Sequence, residues 1–79
     1  SLALMNNRFV LSQSEFFANR LSEDAGEDIK AQLTLAHELV LGRPADPQEL
    51  ALAKAFIADH GLAAYCRVLF NTNAFLYVR

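Results

Sequence analysis

The fold of this chain is decided by the stretch Leu41-Gly42-Arg43-Pro44-Ala45-Asp46-Pro47-Gln48-Glu49-Leu50, which ends one helix and begins the next. Gly42 follows an apolar run and suits the left-handed position just after a helix, where a side chain would cost strain. Pro44 disfavours helical backbone angles at Arg43. The first helix is therefore predicted to end at Leu41.

The second half of the stretch carries the start of a new helix. Asp46 supplies an N-cap acceptor, Pro47 suits the first helical position, and Glu49 can reach back to the cap from the third position. Arg43 is expected to bond carbonyls at the end of the preceding helix and to pair with Glu38 or Glu49. A connection of about four residues is typical of antiparallel helical hairpins and of the turn in DNA-binding helix pairs.

The remaining helices are predicted from apolar residues that recur at helical spacing. We expect helices over residues 8–21, from residue 27 or shortly after to Leu41, and over residues 47–59 and 62–70. A polar break ending at Gly26 precedes the second helix, and Gly61 is expected to close the third in the same way as Gly42 closes the second. No segment alternates like a strand, and no repeat of fixed period is present.

The apolar tail over residues 71–79 is expected to pack against the bundle. Asn71 and Asn73 are interpreted as caps of the fourth helix and of a short turn after it. The sequence therefore predicts an all-α fold, a compact bundle of about four helices with a packed C-terminal tail. Residues 1–79 would form a single helical module.

The apolar pattern also predicts which side chains face inward. In the first helix the inward residues are expected to be Phe9, Val10, Phe16, Phe17 and Leu21. In the second, Gln32 falls on the polar side, and His37, on a mid-helix polar face, is expected to be solvated. In the third, Leu52 widens the apolar arc and is expected to be covered by a second contact.

Composition favours protein interaction over nucleic-acid binding. Seven Lys and Arg face nine Asp and Glu, a formal charge of −2 without a basic cluster, so polyanion binding is not suggested. A DNA-binding helix-turn-helix stays an alternative, although the helix after the turn offers only Lys54 and shows Asp46 and Glu49 to a phosphate. Apolar residues make up 53% of the chain, with six Phe and two Tyr, which is high for a small interior. We therefore expect an apolar patch that docks onto a second copy or onto upstream domains of a parent protein.

No pattern in the chain indicates chemistry. His37, His60 and Cys66 are the soft metal-ligand candidates, and a structural zinc site needs about four ligands, usually in close pairs. The chain has no glycine-rich phosphate loop, Gly-x-Ser-x-Gly, His-Glu-x-x-His or Cys-x-x-Cys-His. No apolar run reaches the ~18 residues that span a bilayer. We predict no catalytic residue, cofactor, metal or membrane insertion, and part of an enzyme site completed by upstream domains stays the third hypothesis.

Three blocks of sequence carry a family resemblance. They are Leu-Met-Asn-Asn-Arg-Phe-Val at residues 4–10, the stretch at residues 41–50, and Phe-Asn-Thr-Asn-Ala-Phe-Leu-Tyr-Val at residues 70–78. In this order they resemble the C-terminal end of the planctomycete family labelled domain of unknown function 1553. The chain departs from the family pattern at Arg8, where proline is frequent, and at Ala74 and Arg79, where acids are usual.

The resemblance implies a larger, exported parent protein. Members of the family are multi-domain proteins, often with a planctomycete-type cytochrome c domain upstream, so any haem would lie outside this chain. The chain would be the C-terminal fragment of such a protein and would be extracytoplasmic. The apolar start Ser1-Leu2-Ala3-Leu4-Met5 is likewise expected to be the end of a helix cut from a longer chain. The resemblance supplies no catalytic residue.

Overall fold

Four helices make up nearly all of the part of the chain that the computed structural model describes, which is the backbone of residues 8–78 and the side chains of residues 8–72. They are α1 (Arg8–Ala25), α2 (Ile29–Leu41), α3 (Pro47–His60) and α4 (Leu62–Val78). Helix α4 packs against each of the other three. The predicted fold class, an all-α bundle of about four helices, is confirmed. The expectations for Ser1 to Met5 and for the packing of side chains 73–79 lie outside the described residues.

Helix α1 ends later than the sequence pattern predicted. It continues beyond Leu21 to Ala25, and Gly26, with a φ of 75°, donates its backbone N–H to the carbonyl of Ser22 at 3.0 Å. The polar residues interpreted as a break therefore form the last helical turn, where they face solvent. Gln32, which the sequence pattern predicted on the polar side of α2, is instead buried because it donates to the carbonyl of Gly26 at 2.6 Å, and this bond fixes the approach of α2 to the end of α1.

Gly42 ends α2 in the left-handed conformation, with φ 78° and ψ 12°, and its N–H donates to the carbonyl of Glu38 at 3.0 Å. Gly61 closes α3 with the same kind of bond, its N–H donating to the carbonyl of Ile57 at 2.8 Å. Its backbone conformation differs from that of Gly42, because its φ of 93° and ψ of 161° lie outside the left-handed helical region. A single extended glycine turns the chain directly from α3 into α4, a backbone conformation that a side chain would strain.

The interior is built largely from small and aliphatic side chains. Leu21 of α1, Leu33 of α2 and Cys66 of α4 are fully buried. The other buried apolar residues are Ala18, Ala36, Ala53 and Leu69, and the half-buried ones packed against the core include Phe17, Leu35, Val40, Leu62 and Tyr65. No phenylalanine of the described residues belongs to the buried set, and Phe9 and Phe16 lie exposed at the periphery.

Several predicted faces were wrong in part. In α1, Phe9 and Phe16 are exposed, whereas Ser14 is buried and bonds the carbonyl of Val10 at 2.8 Å. This internal hydrogen bond satisfies the serine hydroxyl without a partner from another helix. In α3, Leu52 is 74% exposed instead of covered. Which face of α1 is buried therefore depends on how the other helices pack against it, and not on which face carries more phenylalanines.

Helix α4 runs without interruption through the positions interpreted as caps. The expectation that Asn71 ends the fourth helix was wrong, because the backbone stays helical from Leu62 to Val78. The same continuity means that no new helix begins at Asn73. No glycine or proline follows Phe70 to stop the helix. The Asn71 Oδ1 atom is buried without a hydrogen-bond partner, and Thr72 bonds back to the carbonyl of Val68 at 3.0 Å.

Candidate functional site

A cluster of polar side chains joins α2, α3 and α4, and Glu49 lies at its centre. The Glu49 Oε1 atom accepts the backbone N–H of Asp46 at 3.0 Å, and the Asp46 carboxylate accepts the N–H of Glu49 at 2.8 Å. This is a complete capping box at the start of α3, with Pro47 in the first turn. The stretch that decides the fold therefore also positions the central carboxylate.

Arg43 closes the outer side of the cluster. Its Nη1 and Nη2 atoms donate to Glu49 Oε1 and Oε2, each at 2.8 Å, and Nη1 also donates to the carbonyl of Pro44 at 3.3 Å. A bidentate guanidinium–carboxylate pair is among the more strongly directional contacts available to exposed charges. Of its two predicted partners Arg43 pairs with Glu49, and the carbonyl that it bonds belongs to Pro44 in the turn, not to the end of α2 as expected.

His37 forms the inner side of the cluster, and the expectation that it is solvated was wrong. The side chain is 2% exposed, and its Nε2 atom lies 2.9 Å from the hydroxyl of Tyr65 on α4. Its Nδ1 atom lies 3.8 Å from Glu49 Oε1 and has no hydrogen-bond partner. The nearby carboxylate favours a proton on Nδ1, which leaves Nε2 to accept the hydrogen of the Tyr65 hydroxyl.

The electrostatics of the cluster follow from these contacts. The hydrogen bonds from Arg43 and from the Asp46 backbone lower the pKa of Glu49 from 4.5 to about 2. Burial lowers the pKa of His37, with Glu49 acting in the opposite direction. Burial also raises the pKa of Tyr65. At neutral pH the cluster therefore holds an ionised pair at its outer side and a neutral histidine and phenol at its inner side.

The order carboxylate, imidazole, hydroxyl resembles a catalytic relay, but its geometry does not complete one. Both oxygens of Glu49 are bonded to Arg43, and 3.8 Å is too long for a hydrogen bond that would orient His37. The arrangement is chemically suited to holding three helices in register.

The other residues considered for chemistry lie apart from this cluster. His60 is exposed, with its ring 4.6 Å from that of Phe56. Cys66 is fully buried, and burial raises the pKa of its thiol to about 12, which keeps it protonated. Among the residues that the structure describes, no three His, Cys, Asp or Glu side chains lie together where a metal ion could be held. No helix of the described part has the length and apolarity needed to cross a bilayer.

A second feature is the apolar outer face of α1. Phe9 and Phe16 are 70% and 69% exposed and lie seven positions apart on one side of the helix. Phe16 borders two shallow cavities. One of about 200 Å³ is lined by Ser12, Glu15, Phe16 and Asn19; the other, of about 220 Å³, by Gln13, Phe16, Phe17, Arg20 and Phe70.

Comparisons with family profiles, with curated proteins and with solved structures found no match to this chain.

The sequence located some of these residues and missed others. The structure brings Arg43, Asp46 and Glu49 together at the turn, while Asn71 lies elsewhere, in the middle of α4. The inner half of the cluster was missed because a histidine on a polar stripe gives no sign of a buried partner. The available signal was the spacing of α2 and α3 around a turn of five residues, which brings His37 opposite the first turn of α3.

Proposed function

We propose that this chain is a helical protein-interaction module that docks onto another polypeptide through the outer face of α1. The observation that supports this most is the exposure of Phe9 and Phe16 on one stripe, next to cavities that a partner's side chain could fill. An exposed apolar patch with polar surroundings is typical of an interaction surface. Serine, glutamate, asparagine and arginine side chains border this one.

The distribution of charges supports a protein partner over nucleic acid. Arg43 is bound to Glu49, and Arg20 lies 3.3 Å from Asp24, so both cations are neutralised within the fold. The first turn of α3 presents the carboxylates of Asp46 and Glu49. A recognition helix needs free cations at this end to meet phosphates.

The wider setting that we propose rests on the family resemblance. The chain would be the C-terminal module of a larger exported protein, and upstream domains of that protein or a second copy of the chain would supply the docking partner. In this setting the polar cluster between α2, α3 and α4 has a structural role. It keeps the bundle rigid while α1 carries the contact surface.

A photo-crosslinking experiment tests the proposal. We would replace Phe16 by p-benzoylphenylalanine, and in a matched control replace Gln48, an exposed residue in the first turn of α3. After illumination in the cells that produce the protein, adducts would be identified by mass spectrometry. We expect position 16 to yield one adduct, with a second copy or with another segment of the same gene product. An adduct yield at position 16 no higher than at position 48, or scattered over unrelated proteins, would refute the proposal.

A further inference from the structure

We infer that the partner of the outer face of α1 is a second copy of this chain, bound so that the two α1 helices run antiparallel. This inference rests on the proposed function and names its partner. It is carried by three observations on α1: the spacing of the exposed phenylalanines, the shape of the surface beside Phe16, and the positions of Arg8 and Glu15.

The cavities beside Phe16 have the form of helix-packing holes. The first is lined by residues 12, 15, 16 and 19 of α1. The second is lined by residues 13, 16, 17 and 20 of α1 together with Phe70 of α4. Each set has the spacing i, i+3, i+4 and i+7, which is the four-residue hole that receives one side chain of a facing helix. Phe16 supplies an apolar wall to both holes, and polar side chains border them, so a ring from a facing helix could pack against Phe16 while its edge meets the polar rim.

Phe9 supplies that side chain in a symmetric pair. If Phe9 of one copy enters the hole formed by residues 12–19 of the other, a two-fold axis places the partner's Phe9 in the same hole of the first copy. One helix surface thus provides both the projecting ring and the cavity. Phe9 and Phe16 of both copies then become covered, which a contact with an unrelated surface would not ensure.

The charges on α1 fix the relative direction of the two helices. In the antiparallel pair, Arg8 of each copy lies within about two residues, or ~3 Å along the axis, of the partner's Glu15. Both side chains are exposed, and neither forms an ion pair within the described part of the chain. A parallel pair would instead place Arg8 beside Arg8 and Glu15 beside Glu15. Charge complementarity therefore selects the antiparallel arrangement.

Sedimentation equilibrium with charge-swapped variants tests the inference. A two-helix contact is small, so we expect a reversible dimer over roughly 1 to 300 µM protein. Glu15→Arg should weaken dimerisation about tenfold, because two attractive pairs become repulsive. The double variant Arg8→Glu, Glu15→Arg restores both pairs and should return the dissociation constant to within about threefold of the original. Glu38→Arg, at an exposed position on α2, is the matched control and should leave the dissociation constant unchanged.

Phe16→Ser separates loss of the interface from loss of the fold. It should abolish the dimer, while circular dichroism shows unchanged helix content, because the ring is 69% exposed in the single chain. A chain that stays monomeric at all concentrations, or a double variant that fails to restore dimerisation, would overturn the inference. If position 16 still crosslinks to another segment of the same gene product, the proposed function survives that result. If position 16 crosslinks to nothing, both the proposed docking function and the antiparallel dimer are refuted.

Discussion

Glu49→Gln is the substitution that most directly probes the polar cluster. It keeps the size of the side chain and its ability to accept the backbone N–H of Asp46, but it removes the charge and one of the two acceptors for Arg43. The pKa of Glu49 falls from 4.5 to about 2 on folding. At ~1.4 kcal/mol per unit, that shift corresponds to about 3 kcal/mol.

Solvent screening reduces this figure, because the Glu49 side chain is 30% exposed and its partner Arg43 is 52% exposed. We therefore expect Glu49→Gln to lower the free energy of unfolding at pH 7 by about 1 to 2 kcal/mol. A carboxylate whose pKa is lower in the folded state than in the unfolded state contributes its full stabilisation only at pH values above the unfolded-state pKa. The contribution should be lost as the pH falls from 4.5 towards 2, where the folded-state carboxylate becomes protonated.

Urea denaturation followed by circular dichroism measures the effect, at one protein concentration and at several pH values between 7 and 2. The matched control is Glu23→Gln, at an exposed residue of α1, which should change the free energy of unfolding by less than about 0.5 kcal/mol. The difference between the original chain and Glu49→Gln should shrink below pH 4.5. A difference at pH 7 no larger than that of the control, or one that persists unchanged at pH 2, would refute the account of the cluster.

Four further substitutions test other parts of the structure by the same denaturation assay. Asp46→Ala removes the N-cap of α3 and should cost about 1 kcal/mol; a change near zero would mean that the cap does not hold α3. Gly61→Ala forces a side chain into a φ of 93° and should cost about 1 to 3 kcal/mol, and an unaffected variant would contradict the strained corner. Tyr65→Phe leaves His37 without its hydrogen-bond partner and should cost about 1 kcal/mol, whereas a gain in stability would show that the contact is not formed. Asn71→Leu removes a buried oxygen that lacks a partner and should be neutral or stabilising by up to about 1 kcal/mol, so a loss of that size would show that the oxygen forms a hydrogen bond.

Local chemistry explains which features could be predicted from the sequence. The C-terminal end of α2 follows from Gly42, and the N-terminal start of α3 follows from Asp46 and Pro47. The effects of these residues act within a few residues of the backbone. The fold class follows from helical periodicity without strand alternation, and the structure confirms it. These predictions needed no knowledge of which helices meet.

Features that depend on distant contacts could not be predicted in the same way. His37 is buried because Tyr65, 28 positions further along the chain, supplies a hydroxyl to its inner nitrogen. Phe9 and Phe16 satisfy helical periodicity, yet the bundle buries Ser14 on another side of α1. Helical spacing describes a stripe, and only the packing of the other helices decides which stripe is buried.

The single-residue corner at Gly61 has a consequence for variation in chain length. An α-helix turns by about 100° per residue, so one residue inserted there without slack would rotate α4 by that angle about its axis. Cys66 and Leu69, both buried, would then leave the core. We therefore expect related sequences and engineered fusions to keep the number of residues between α3 and α4 constant.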